Sequence, residues 1–258
     1  MREGTVGKVL YYDCFSGISG DMNLAALLDL GVPEEYLRSK LSELGLGGYA
    51  LEISRSSKMG IHGTRVDVKL HDNHHSHEHE HLHDHAHRNL HDITHIIQDS
   101  TLSDDVKTTA LAIFTKIAEA EAKVHGTTVD NIHFHEVGAI DSIVDIAGAA
   151  ICLDWLKPSK IVALPIELGG GFIKCAHGTI PVPAPATLEL LQGFAVKTGT
   201  VQFETATPTG AAILSTMSIP AGERTSFTGG KIGYGIGHRD LEIPNVLRVI
   251  LADEASIT

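Results

Sequence analysis

Between His71 and His87 the chain offers almost nothing to bury: Leu82 and Ala86 are the only apolar residues in a run of His, Asp, Glu, Asn and Ser. A segment of that composition cannot offset the entropy of ordering itself, so residues 71–88 are expected to form a mobile loop. Whatever folds must come from the flanks. These are residues 1–70, an α/β part with a glycine-rich turn, and residues 89–258, a second α/β part that can close into one domain with the first. Ten of the 17 histidines fall at or beside this run. Free imidazoles are mostly neutral at pH 7. His74, His75, His77, His79, His81, His83, His85 and His87 therefore read as weak, exchangeable metal positions, better suited to collection than to catalysis. Its internal position and interspersed acids argue against a cloning tag, and a pH sensor is the less economical reading.

In the flanks, hydrophobic period sets the elements. KVLYYD (8–13) reads as a buried strand stopped by Ser16-Gly17-Ile18-Ser19-Gly20. Helices are expected through NLAALLDL to Gly31 and from Pro33 to about Leu44. Residues 49–56 and 61–70 alternate apolar and polar, as antiparallel strands do. Helices near 90–98 and 103–124 follow. Then come an extended segment feeding a long apolar helix (131–156), a strand at 160–168 ended by three glycines, and a rigid connector, Pro181 to Pro185, before the helix ATLELLQG. A helix AAILSTM and a last strand at 246–251 complete the series. Elements mix without a strict βαβ rhythm, so the expected class is α/β with mixed α+β elements.

Composition narrows the function. A formal charge of −12 with scattered Lys and Arg argues against a nucleic-acid backbone as main partner. No apolar run approaches the roughly 18–20 residues of a membrane span, and the first residues lack a signal-peptide core. Cys14, Cys152 and Cys175 are too few and too widely spaced for a disulfide framework. The cytoplasm is the expected address.

Three places could carry chemistry. In His133-Phe134-His135-Glu136 an extended backbone would put both histidines on one side. Imidazole suits Ni, Zn, Cu and Fe alike, and hydrogen-bonded strand histidines would explain the pair equally well. The next helix adds weight, because Asp141 and Asp145 are four apart, on one face of an otherwise apolar helix. Buried carboxylates need a cation, and no Lys or Arg lies between Val124 and Trp155. A metal ion, or a salt bridge from a distant Lys or Arg, must supply the charge. Second, Gly17, Ser19 and Gly20 enter a helix as an anion-binding turn would, with Asp13 and Asp21 placed to hold a metal bridging a phosphate. Ser19 or Asp21 acting as a plain helix cap is the simpler alternative, and the Gly-Lys-Ser/Thr ending of a Walker loop is missing. Third, Gly170 and Gly171 allow close approach of a ligand, beside Lys174 for an anion and Cys175 with His177 for a metal or sulfur chemistry. Cys175 could equally be a small buried hydrophobe. Thr209 at a helix start and Arg239 in Gly235-Ile236-Gly237-His238-Arg239-Asp240 are further anion candidates, the latter for its bidentate fork.

The blocks YYDCFSGISGDMNLAALLDLG, HFHEVGAIDSIVDIAGAAICLDWL, ELGGGFIKCAHGTIPVPAPATLELLQG, TPTGAAIL and KIGYGIGHRDLEIPNVLRV, with the His-rich run between, resemble the LarC family from about Val9 to Leu251. That resemblance implies a nickel insertase (a lyase) that completes the nickel-pincer cofactor of lactate racemase, acting on pyridinium-3,5-bisthiocarboxylic acid mononucleotide with CTP and Mg or Mn. It implies nickel on members of the set His133, His135, Glu136, Asp141 and Asp145. Family members continue into a C-terminal domain associated with nucleotide binding. This chain is expected to correspond to the N-terminal part, with a C-terminal domain or second polypeptide as partner and a homo-oligomeric state. A metal-dependent phosphohydrolase and a nickel-storage protein working through its histidine run are the rival readings.

Overall fold

In KVLYYD, Leu10 and Tyr12 bury against one set of neighbours while Val9 and Tyr11 bury against another. The strand β1 (Lys8–Asp13) is thus apolar along its length because both faces of its sheet are covered. The computed structural model describes residues 7–71, 88–132, 134, 139–175, 178–222, 225–227 and 229–253. After β1 come α1 (Gly20–Leu30), α2 (Glu34–Ser42), β2 (Tyr49–Lys58), β3 (Ile61–Leu70), α3 (Leu90–Asp99), α4 (Asp104–His125) and α5 (Ile140–Leu156). The second half holds β4 (Lys160–Ala163), β5 (Ile166–Glu167), β6 (Phe172–Cys175), β7 (Gly178–Pro181), α6 (Pro185–Leu190), β8 (Val196–Lys197), α7 (Pro208–Met217), β9 (Ile219–Pro220), β10 (Lys231–Ile236) and β11 (Val246–Asp253). None of the described helices is long and apolar enough to cross a membrane.

One mixed seven-stranded sheet runs in the order β2-β3-β10-β11-β1-β4-β9 among the described residues. The pairs β2/β3, β10/β11 and β11/β1 are antiparallel, while β3/β10, β1/β4 and β4/β9 are parallel. Strands from both sides of the histidine run therefore share one sheet, within a mixed α/β architecture. The main core lies on the helical face, where α1 packs on β10, β3 and β11 and is covered from outside by α5. Squeezed between sheet and helix, α1 buries all but three of its eleven residues, which is why its sequence is apolar all round. Its close approach to the sheet depends on Gly235: a Cβ there would stand 2.0 Å from the Met22 carbonyl oxygen.

The helix ends follow local rules. Gly31 and Gly126 take left-handed conformations at the C-caps of α1 and α4, and Ser103 caps α4 through the Val106 N–H. Two expectations need correction. The strand read at 160–168 breaks at Leu164-Pro165: β4 stays in the large sheet, whereas β5 leaves it to pair with β8. Pro165 has no N–H to continue a ladder. Gly235 and Ile236, read as part of a turn, are the end of β10, paired to Leu247 and Val246. Strand pairing, invisible in KIGYGI because of its glycines, overrode the turn propensity.

Candidate functional site

The N-terminus of α1 meets α5 over Gly20. Asp145, one turn into α5, lies so close to this glycine that a Cβ on it would stand 2.2 Å from Asp145 Oδ2. The carboxylate's other oxygen, Oδ1, is sealed from solvent and has no hydrogen-bond partner. The lysine and arginine ion pairs described elsewhere in the fold are made with other carboxylates. Burial pushes the Asp145 carboxyl well above the usual carboxylate range, and the charges of Asp21 and Asp141 push it further. In the absence of a cation, a proton is what neutralises this group. Asp141 is exposed and accepts the Ser142 N–H at 2.7 Å.

Asp21 faces the same junction and is held from both sides. Ser19 does not cap α1; its hydroxyl donates to Asp21 Oδ1 at 2.5 Å. His238, just past the end of β10, places Nε2 3.0 Å from Asp21 Oδ2. Arg65 Nη2 stands 2.5 Å from His238 Nδ1 and itself grips Asp67. A guanidinium can only donate, so Nδ1 accepts and the Nε2–H donates to Asp21. The same Nδ1 lies 3.1 Å from Asp67 Oδ1, an acceptor the ring cannot serve in this tautomer. Sequence reasoning missed His238. Its one signal was a position beside Arg239, at the end of a strand that had not been recognised.

A cleft of about 800 Å³ opens from this junction, lined by Asp21, Phe203, Glu204, Thr207, His238 and Arg239 among others. Its floor is tied together by backbone bonds from Ile18 N–H to Thr205 O (2.9 Å) and from Thr207 N–H to Ile18 O (3.0 Å). These bonds bring the N-termini of α1 and α7 side by side, and both dipoles favour negative charge there. Arg239 lies over Phe203, its Cζ 3.9 Å from the ring centroid, and the ion pairs of the described residues do not include it. Its neighbours are already paired, Asp240 with Lys58 and Arg65 with Asp67. The cleft is therefore lined by both signs of charge, with Asp21, Glu204 and Asp240 beside His238 and Arg239.

The remaining candidates are placed elsewhere or otherwise engaged. Asp13 is bound by Arg248, whose Nε donates to it at 2.9 Å, so its charge is already balanced. The space over Gly17 is taken by the Thr205 carbonyl, and Gly170 and Gly171 face Gly199 to Gln202, so these glycines admit the protein's own chain. Thr209 is buried in the first turn of α7, where Thr207 acts as N-cap to the Gly210 N–H. Lys174 is exposed on β6, and Cys175 ends that strand. His133, His135, Glu136, His177, the Cys175 side chain and the histidines from His74 to His87 lie outside the described residues. Among those described, no group of three or more His, Cys, Asp or Glu is arranged to hold a metal ion.

Comparison with known proteins gives the chemistry a context. The model of the family described as nickel insertion protein matches residues 10–258. A pyridinium-3,5-bisthiocarboxylic acid mononucleotide nickel insertion protein of Clostridium kluyveri is 61% identical over 249 residues, covering 96% of this chain and 62% of that protein. Proteins of the same name from Clostridium acetobutylicum and Geobacillus kaustophilus are 57% and 50% identical, the match covering 65% and 61% of their lengths. The chain thus spans somewhat under two thirds of the curated relatives it matches, and no solved structure matches it. With identity this high and a family match over nearly its whole length, the chain belongs to the nickel insertion protein family.

Proposed function

We propose that this chain takes part in inserting nickel into pyridinium-3,5-bisthiocarboxylic acid mononucleotide during nickel-pincer cofactor biosynthesis. The observation that carries the reading is Asp145, a carboxylate with a sealed, unpartnered oxygen facing Asp21 where two helices meet. Such a group is costly to keep unless a cation is meant to occupy its vicinity. Nickel, as the cargo, would take the place of the proton on Asp145. Asp21, fixed by Ser19 and His238, would share it, with His133, His135, Glu136 and Asp141 as the further ligands proposed from sequence. Hard carboxylates and borderline imidazoles hold Ni²⁺ less firmly than sulfur does, so the two thiocarboxylates would draw the ion onward.

The two signs of charge in the cleft suit the precursor. Its cationic ring and its metal-binding groups would face Asp21 and Asp145, and its phosphate would take Arg239, whose guanidinium lies over the Phe203 ring. CTP with Mg or Mn remains part of the proposal. Of the glycine turns considered for it, the one at Gly17 is closed by the Thr205 carbonyl, and Gly170 and Gly171 pack against Gly199 to Gln202. We assign CTP to a C-terminal domain or a second polypeptide. A cytoplasmic, homo-oligomeric protein is the accompanying expectation.

The direct experiment is nickel transfer to the purified precursor by this chain, with and without CTP and a supplied C-terminal domain. Transfer in any arm that depends on the chain supports the reading; no transfer in the complete mixture would end it. The histidine run is proposed to collect the ion. Deleting Asp72 to His87 is expected to leave folding and tight nickel binding intact, since only Leu82 and Ala86 are apolar there and closure entropy varies slowly with loop length. Activity should hold at saturating nickel and fall several-fold when nickel is scarce, because lost imidazoles lower the local ion concentration. An equal loss at every nickel concentration would make the run part of the catalytic machinery instead.

A further inference from the structure

Two histidines outside the cleft meet in a direct ring-to-ring contact. His91 and His95 sit four residues apart on α3, both exposed, with their Nε2 atoms 3.2 Å apart and their rings edge-on at 74°. Exposed imidazoles are free to turn to water, yet these two keep their Nε2 atoms within hydrogen-bond distance of each other. We propose that His91 and His95 form a bidentate site for a divalent transition metal ion, Ni²⁺ in the first instance.

The bite distance carries the assignment. Imidazole nitrogens bound to one ion at about 2.0–2.1 Å lie roughly 2.9 Å apart at a right angle and roughly 3.4 Å apart at a tetrahedral angle. The separation of 3.2 Å falls between these values. Positions i and i+4 on a helix are the spacing with which a pair of histidines chelates metal on one face. The ring nitrogens suit nickel, copper or zinc, and water completes the coordination.

The backbone beneath is prepared to hold the pair still. Asn89 and Asp92 form a reciprocal capping box at the start of α3, each side chain accepting the other's N–H at 3.0 Å. Ile93 and Ile97, fully buried, fix the opposite face of the helix in the core. The imidazoles thus project from a rigid support, and a chelate formed there loses less side-chain freedom than isolated histidines on a loop. Asp92, in the same turn, offsets the helix N-terminus that would otherwise repel a cation. As a metal site the pair stands independently of the insertion reading; only its use as a step on the nickel route rests on that reading.

The test is amide hydrogen exchange on the intact 258-residue chain with and without Ni²⁺. Chelation across i and i+4 clamps the helix, so exchange from Thr94 to Gln98 should slow about ten-fold when free nickel is ten times the site's Kd. That slowing should vanish in His95→Ala and in His95→Gln, the latter keeping side-chain length and helix propensity. Histidines elsewhere cannot substitute, because a bond to them does not clamp α3. An unchanged exchange rate in the wild-type protein, or equal slowing in both variants, overturns the site. Neither result bears on transfer to the precursor, which is measured separately.

Discussion

Asp145→Asn is expected to lose tight nickel binding and, without metal, to be more stable than the wild-type chain at pH 7. Both effects have one cause. The carboxylate sits against the start of α1 with one oxygen unpartnered and two acidic neighbours, and burial lifts its pKa well above the ordinary value. The native chain therefore holds a proton that the unfolded chain releases at lower pH. Its contribution to stability is fully present below the unfolded pKa, near 4, and is lost as pH rises toward the folded one. Asparagine carries no such charge and escapes the loss. The gain at pH 7 should be about 1–3 kcal/mol, or roughly 2–10 °C in Tm, shrinking to nothing near pH 4. Calorimetry of nickel binding, with thermal melts of both proteins from pH 4 to 8, measures the two halves. Unchanged tight binding in the variant would make the carboxylate purely structural. A wild-type melt no lower than that of the variant at pH 7 would mean that the group is not destabilising.

Gly20→Ala should have the next largest effect, and it should act through Asp145. Helix propensity alone favours alanine by about 1 kcal/mol. The new methyl would, however, stand 2.2 Å from Asp145 Oδ2 and 2.6 Å from its Cβ and Cγ, so the α5 side chain or the helix itself must shift. Overpacking of this kind costs about 1–3 kcal/mol, and nickel affinity should fall at least ten-fold as the carboxylate is displaced. The diagnostic measurement is a double-mutant cycle with Asp145→Ala. Removing the carboxylate relieves the Oδ2 and Cγ contacts and leaves only the Cβ contact at 2.6 Å, so the pair should show a coupling energy of about 0.5–3 kcal/mol, with the double variant more stable than the sum of the single changes predicts. Additive effects, or an affinity that Gly20→Ala leaves untouched, would show that this contact does not position the carboxylate.

The sequence by itself determined what depends on near neighbours. Period and capping placed the helices from Gly20 to Leu30, Asp104 to His125 and Ile140 to Leu156 close to where they form, because each is fixed by residues within a few positions. Spacing alone put Asp141 and Asp145 on one face, and composition marked the histidine run. Local rules cannot say what faces what across the fold. That Asp145 looks at Asp21, that His238 locks Asp21 through Arg65, and that Arg239 stacks on Phe203 all follow from the order β3-β10-β11-β1 and the burial of α1 between sheet and α5. The glycines make the same point. Sequence licensed close approach at Gly17, Gly20 and Gly170, and the tertiary structure decided that the partner is the protein's own chain, since a glycine admits whatever the fold brings nearest.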